Sequence, residues 1–199
     1  MKTVVIATNN KNKVYEFKSL LGENVEYKTL KEIGYNKEII ENGKTFKENS
    51  YIKASQVSKD LGVIAIADDS GLSVDALGGK PGIYSARYSK SGKDDDNNKL
   101  LIENLKGIKE RSAHYTCAIT LCFPDGKFIQ TEDYCYGRII DTPKGENGFG
   151  YDTYFYVDEF NKTLAEVTLE EKNKVSHRAK AIRKLKELID DDFNIKWFS

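Results

Sequence analysis

The 199-residue chain has little cysteine, no excess charge of either sign and no long apolar run. Its three cysteines, Cys117, Cys122 and Cys135, form no CxxC pair. An odd count without a secretion signal predicts reduced thiols that fill space as small buried hydrophobes. Lys plus Arg and Asp plus Glu each total 31. That balance removes the electrostatic case for duplex nucleic acid or an anionic membrane as partner, although local basic sites remain open. No apolar stretch approaches the roughly 18–20 residues a bilayer requires. The opening "MKTVVIATNNKNK" has an apolar core too short for a signal peptide, so the expectation is a cytoplasmic chain. Internal repeats and low-complexity linkers are also lacking, and the expectation is one domain over 1–199.

What is present is an alternation of strand and helix patterns. Lys2 to Ala7 reads as a strand, followed by the polar turn "TNNKN" and a helix carrying Val14, Phe17, Leu20 and Leu21 that ends at Gly22. Val25 to Leu30 is a second strand. Thr45 and Glu48 have the spacing of a capping box that opens a helix, and Gly62 closes it. "VIAIA" (Val63 to Ala67) is apolar throughout, as a strand covered on both faces should be. A long Gly-, Ser-, Lys- and Asp-rich loop spans Gly78 to Asn97, and a helix is expected from about Asp95 to Leu105. "AHYTCAITLCF", "PDG" and "KFIQTEDYCYGRII" predict a long hairpin, expected to form a second lobe, and "GFGYDTYFYV" a further strand. Thr168 and Glu171 form another capping-box pair. A last helix runs from Ser176 to about Asp191 with Ile182, Leu185, Leu188 and Ile189 along one side. The pattern predicts an α/β fold with a mixed central sheet flanked by helices.

Five constellations bear chemistry. In "ATNNKNK" a polar turn joins the first strand to a helix, where free N–H groups and the helix dipole favour phosphate. Lys13 would add charge. The motif is not a Walker loop, and a solvated helix start capped by Asn10 is the alternative. In "ENGKTFKENSYIKA", Glu41 could ligate a metal and Lys53 could meet a phosphate; the alternative is surface charge on an amphipathic helix. After "VIAIA" come Asp68 and Asp69, adjacent carboxylates that are costly unless paired or bound to a cation. Mg²⁺ takes one or two carboxylates plus waters and phosphates, which would offset the repulsion, whereas an Asx turn ending the strand would need no cation. "GFGYD" offers Phe149 or Tyr151 to a flat ring, or is simply a glycine-rich strand entry. His177 and Arg178 open the last helix, an unfavourable place for cations, which suggests donors aimed at acceptor groups; a hydrophilic helix start is the alternative.

In their order and company, "ATNNKNK", "ENGKTFKENSYIKA", "ADDSGLSVDALGGKPGIYSARY", "FGYD" and "EEKNKVSHR" resemble the Ham1/ITPase family of inosine triphosphate pyrophosphatases over essentially the whole chain. The resemblance implies an elongated, two-lobed α/β fold with a central cleft, and a homodimer. It implies Mg²⁺-dependent cleavage of non-canonical purine nucleoside triphosphates (ITP, dITP, XTP) to the monophosphate and pyrophosphate. It makes Thr8, Asn9, Asn10, Lys11, Asn12 and Lys13 the phosphate-contacting turn, and Glu41 and Asp69 the metal positions. Asp69 is also the expected proton acceptor, with Asp68, Lys13 and Lys53 in catalytic support. Ser70, Phe149, Gly150, Tyr151, Asp152, Lys172, His177 and Arg178 match substrate-binding positions. The chain departs from the family pattern at Asn9, where Gly is usual, at Ser50 (Ala) and at Thr153 (Pro). The competing readings are a general nucleoside triphosphate pyrophosphatase of the related Maf-type fold and a nucleotide-binding regulator without catalysis.

Overall fold

A computed structural model of the chain describes residues 3–22 and 25–193. Lys2, expected to begin the first strand, and both termini of the expected 1–199 domain lie outside them. In chain order the elements are β1 (Thr3–Ile6), α1 (Lys11–Leu21), β2 (Glu26–Thr29), α2 (Phe46–Leu61) and β3 (Ile64–Val74). They continue with α3 (Asp94–Asn104), β4 (Ser112–Cys122), β5 (Phe128–Ile139), β6 (Phe155–Val157), β7 (Lys162–Thr163), α4 (Leu169–Val175) and α5 (His177–Phe193). The strands form one mixed sheet in the order β2-β1-β3-β4-β5-β6-β7. β1 runs parallel to β2 and β3, while β6 is antiparallel to β5 and β7.

The chain divides into two compact units. Unit 1 contains residues up to 69, 117–133 and those from 178; unit 2 contains 70–116 and 134–177. In unit 1 the alternation of side chains along a strand supplies both faces. Val4, Ile6 and Ile66 pack with Phe17 and Leu21 of α1 and with Ile182, Leu185 and Ile189 of α5. Val5, Ala7, Ala65 and Ala67 pack with Ala54 and Val57 of α2. Each fully buried large apolar side chain contributes about 1.5–3 kcal/mol. In unit 2, Leu72 and Val74 of β3 join Leu101 and Leu105 of α3, Tyr115, Ile139 and Phe155 in a separate core.

The structure corrects several sequence expectations. β3 continues to Val74, so Asp68 and Asp69 sit inside a strand rather than at its end. The hairpin forms, but it is not a lobe of its own: its tip belongs to unit 1 and its base to unit 2. "GFGYD" is a turn, and only Phe155–Val157 pair as strand. Thr45 caps α2 by accepting the Glu48 N–H, but Glu48 reaches the Lys44 N–H, one residue beyond a reciprocal box. At α4 the box of Thr168 and Glu171 is complete. Leu188, expected on the apolar side of α5, is 38% exposed.

Candidate active site

Two carboxylate clusters in unit 1 begin at adjacent residues of β3. Asp68 is fully buried. Its Oδ2 meets Lys13 Nζ at 3.0 Å and accepts a hydrogen bond from Arg178 Nη2 at 2.9 Å. Arg178, itself buried, also donates to Glu16 of α1. Burial opposes ionisation of Asp68, but the attraction of Lys13, Arg178 and Lys53 prevails and holds its carboxyl far below the ordinary range. Burial likewise opposes the Arg178 charge, and Glu16 and Asp68 outweigh it. The other oxygen, Asp68 Oδ1, is buried and accepts no hydrogen bond from a described residue.

Asp69 has the same functional group and the opposite shift. Burial raises its pKa, and Lys53, Lys13 and Asn49 only partly counter that. Lys53 Nζ lies 3.6 Å from Asp69 Oδ1 and donates to Glu41 Oε2 at 2.6 Å, so one ammonium sits on two carboxylates. Burial would neutralise Lys53, but Asp69, Asp68 and Glu41 raise its pKa above the usual lysine value. Asn49, buried on α2, donates to Asp69 Oδ2 at 3.1 Å and accepts the Gly43 N–H at 2.9 Å. A Cβ on Gly43 would lie 2.7 Å from Asn49 Oδ1, so this close approach requires glycine.

The first turn is built as a capped helix start. Asn10 Oδ1 accepts the Asn12 and Lys13 N–H groups, and Thr8 Oγ1 accepts the Asn10 N–H. Asn9, Asn10, Lys11 and Asn12 are exposed, and the stem of Lys13 carries its ammonium to Asp68. Asn161 is the only non-glycine residue with positive φ among the described residues, so Asn9 fits without left-handed backbone. Ser50, the second departure, is satisfied: its Oγ donates to Lys47 O and lies 2.7 Å from Thr120 Oγ1.

Unit 2 holds the remaining candidates. Ser70 is half-buried on β3. Asp152 Oδ2 accepts from Lys172 Nζ at 2.8 Å and from the Phe149 N–H at 3.1 Å, with Asp152 and Lys172 both buried. The Lys172 ammonium also lies 5.0 Å from the Phe149 ring centroid. Gly148 has φ 76°, and a Cβ there would fall 2.2 Å from Asp152 Oδ2. Tyr151 is buried and its hydroxyl donates to Ser85 O at 2.7 Å. His177 stacks on Tyr115, with ring centroids 4.7 Å apart and planes 7° apart. The structure therefore gives His177 and Arg178 separate settings: an aromatic stack for one, two carboxylates for the other.

The profile of the Ham1 family matches residues 4–188. This chain belongs to the Ham1 family. A Bacillus licheniformis protein named dITP/XTP pyrophosphatase is 50% identical over 194 residues, 96% of this chain and 99% of that protein. One of the same name from Bacillus subtilis is 47% identical, covering 96% and 98%. The structure of the Staphylococcus aureus Ham1 protein superposes with a TM-score of 0.87 at 38% identity, covering 96% of this chain and all of that one.

The Ham1-family chain shows no group of three or more His, Cys, Asp or Glu suited to holding a metal among the described residues. A hard cation such as Mg²⁺ does not need one, because it takes one or two carboxylates and completes its shell with water and phosphate. Glu41 and Asp69, drawn together by Lys53, fit that donor set, and the orphaned Asp68 Oδ1 is a further hard oxygen on the same strand. Sequence reasoning missed Glu16 and Asn49. Glu16 sits among helix-surface charges in the sequence, and Asn49 lies inside the "KENS" motif with no periodicity to mark it.

Proposed function

We propose that this chain hydrolyses non-canonical purine nucleoside triphosphates (dITP, XTP and ITP) to the monophosphate and pyrophosphate. Family membership and the names of its relatives support the substrate class. The observation that carries the chemistry is the pair of adjacent carboxylates with opposed pKa shifts, each met by a lysine. Asp69, its proton affinity raised by burial, accepts a proton from the water that attacks the α-phosphorus. A new P–O bond forms there as the bond to the α,β-bridging oxygen breaks and pyrophosphate leaves. Lys13 and Lys53 bring positive charge to the departing phosphates, with Asn10 and the turn from Thr8 contacting them. Asp68 stays ionised and holds Lys13 in place. Mg²⁺, bound by Glu41 and Asp69, would supply Lewis-acid polarisation of phosphate oxygens.

Phe149 stacks the purine, supported by Gly150, Tyr151 and the Asp152–Lys172 pair, and Ser70 lines the substrate. His177 donates to the 6-keto oxygen that adenine lacks; a site built for that bond rejects the wrong base by up to about 10⁴. Arg178, bound to Glu16 and Asp68, is assigned to positioning Asp68. Residues 1–199 act as one ITPase-like domain, as a homodimer in the cytoplasm. The dimer rests on family resemblance; the compartment rests on the reduced-thiol composition. Among the described residues no helix is long and apolar enough to cross a membrane.

The test is a panel of ITP, XTP, dITP, GTP, ATP and UTP with and without Mg²⁺, reading pyrophosphate and orthophosphate separately. Pyrophosphate from ITP, XTP and dITP, with little from ATP, is expected. Orthophosphate as first product, or equal use of ATP, overturns the reading. Light scattering of the native chain checks the dimer.

A further inference from the structure

The N-terminal end of α3 takes no part in the chemistry above, yet it grips the aromatic turn on both sides of one residue. Asp94 Oδ2 accepts the Gly150 N–H at 2.7 Å, and Asn98 Nδ2 donates to Gly150 O at 2.9 Å. Positions four apart lie on one face of a helix, so a single helical surface presents an acceptor and a donor together. The Gly150 N–H belongs to the peptide joining it to Phe149, and its carbonyl to the peptide joining it to Tyr151. The two bonds therefore fix both planes that flank Gly150. From the other side, Asp152 accepts the Phe149 N–H. Phe149 is thus bracketed by hydrogen bonds on each of its peptides.

A second observation ties the same end of α3 to a neighbouring segment. Asn98 is buried, and its Oδ1 accepts no hydrogen bond from a described residue, while its amide serves Gly150. The neighbouring Asn97 accepts the Ser89 N–H at 2.7 Å and donates to Ser85 O and Ala86 O. Ser85 O also receives the Tyr151 hydroxyl. The same helical turn thereby anchors segment 85–89 and the turn at 148–152.

We infer that Asp94 and Asn98 are positioning residues that set the orientation of Phe149 for the purine ring, and so govern substrate affinity rather than the chemical step. This rests on the reading of Phe149 as the base-stacking residue. The experiment compares Asp94→Ala, Asp94→Asn, Asn98→Ala and Phe149→Ala with the native chain. It measures KM and kcat for dITP, the dissociation constant for inosine monophosphate, the Gly150 amide resonance by ¹H–¹⁵N NMR, and thermal melting. Asp94→Ala and Asn98→Ala are expected to raise KM and the monophosphate dissociation constant about tenfold, the scale of one lost hydrogen bond. Their kcat should stay within about twofold, and the Gly150 amide should move upfield in Asp94→Ala. Asp94→Asn keeps an acceptor and should restore KM. If Phe149→Ala raises KM and the two clamp variants do not, the inference fails and the base-stacking reading stands. If Phe149→Ala leaves KM unchanged, both fail. Asp94 is exposed, so the Asp94 pair carries the test even where Asn98→Ala does not fold.

Discussion

Asp68 and Asp69 show how much one peptide step can change a carboxylate. Both are buried, but Asp68 meets two cations directly and stays ionised, while Asp69 meets Lys53 at the longer distance of 3.6 Å and gains proton affinity. Asp69→Asn should cut turnover by about 10²-fold or more, as loss of one key electrostatic group does elsewhere. Its melting temperature should hold or rise, because removing a poorly compensated buried charge relieves the fold. Steady-state assay beside calorimetry checks both. The two residues also carry opposite linkage signs. Asp68 is depressed in the folded state, so its stabilisation is present above the unfolded value of about 3.9 and is lost as pH falls below it. Asp69 is raised, so its contribution is present at acid pH and lost as pH rises through its folded value. Urea midpoints in the native chain should therefore fall toward acid only below about pH 4, where the Asp68 contribution is lost, while Asp69 acts with the opposite sign above it. Asp68→Asn should flatten the acid limb while lowering stability at neutral pH.

Secondary-structure elements are joined at the site by a few polar side chains. Glu16 of α1, Asp68 of β3 and Arg178 of α5 form one buried chain of charge. Glu16→Ala leaves Arg178 with one fewer carboxylate and should cost about 3–5 kcal/mol in a denaturant titration, the scale of a broken buried pair. A loss under about 1 kcal/mol would show the triad to be weakly coupled. At α2 the link is Asn49 between Gly43 and Asp69. Gly43→Ala would set a Cβ 2.7 Å from both Asn49 Oδ1 and Glu48 Cβ. Overpacking of this kind costs about 1–3 kcal/mol. Because Glu41 lies two residues away, the variant should also lose apparent Mg²⁺ affinity, read by metal titration of activity and by direct Mn²⁺ binding.

At the scale of the molecule, the three cysteines are all buried and none is in a disulfide. Burial pushes the Cys122 thiol up to about 11, and burial with Asp68 nearby pushes Cys117 higher still. Little Cys117 or Cys122 thiolate exists at neutral pH, and the thiolate is the reactive form. A thiol reagent should therefore find none of the three in the native protein within minutes, and all three after denaturation. Fast native labelling of even one would show that its burial is transient. The composition that predicted space-filling thiols is consistent with their burial; their exact neighbours were not legible from it.

By itself the sequence determined the features that depend on near neighbours along the chain. The cap of α2 by Thr45, the full box at α4 and the doubly covered β3 follow from spacing and periodicity over a few residues. The family motifs also placed the candidate residues in order. Tertiary structure alone decided their partners. Arg178 pairs with Glu16 across 162 positions and with Asp68 across 110, and no local pattern encodes a partner at that range. The extent of β3 belongs to the same class: Asp68 and Asp69 read as a strand's end because buried adjacent carboxylates are costly, and the strand continues because Lys13, Arg178 and Lys53 come from elsewhere in the chain to meet them.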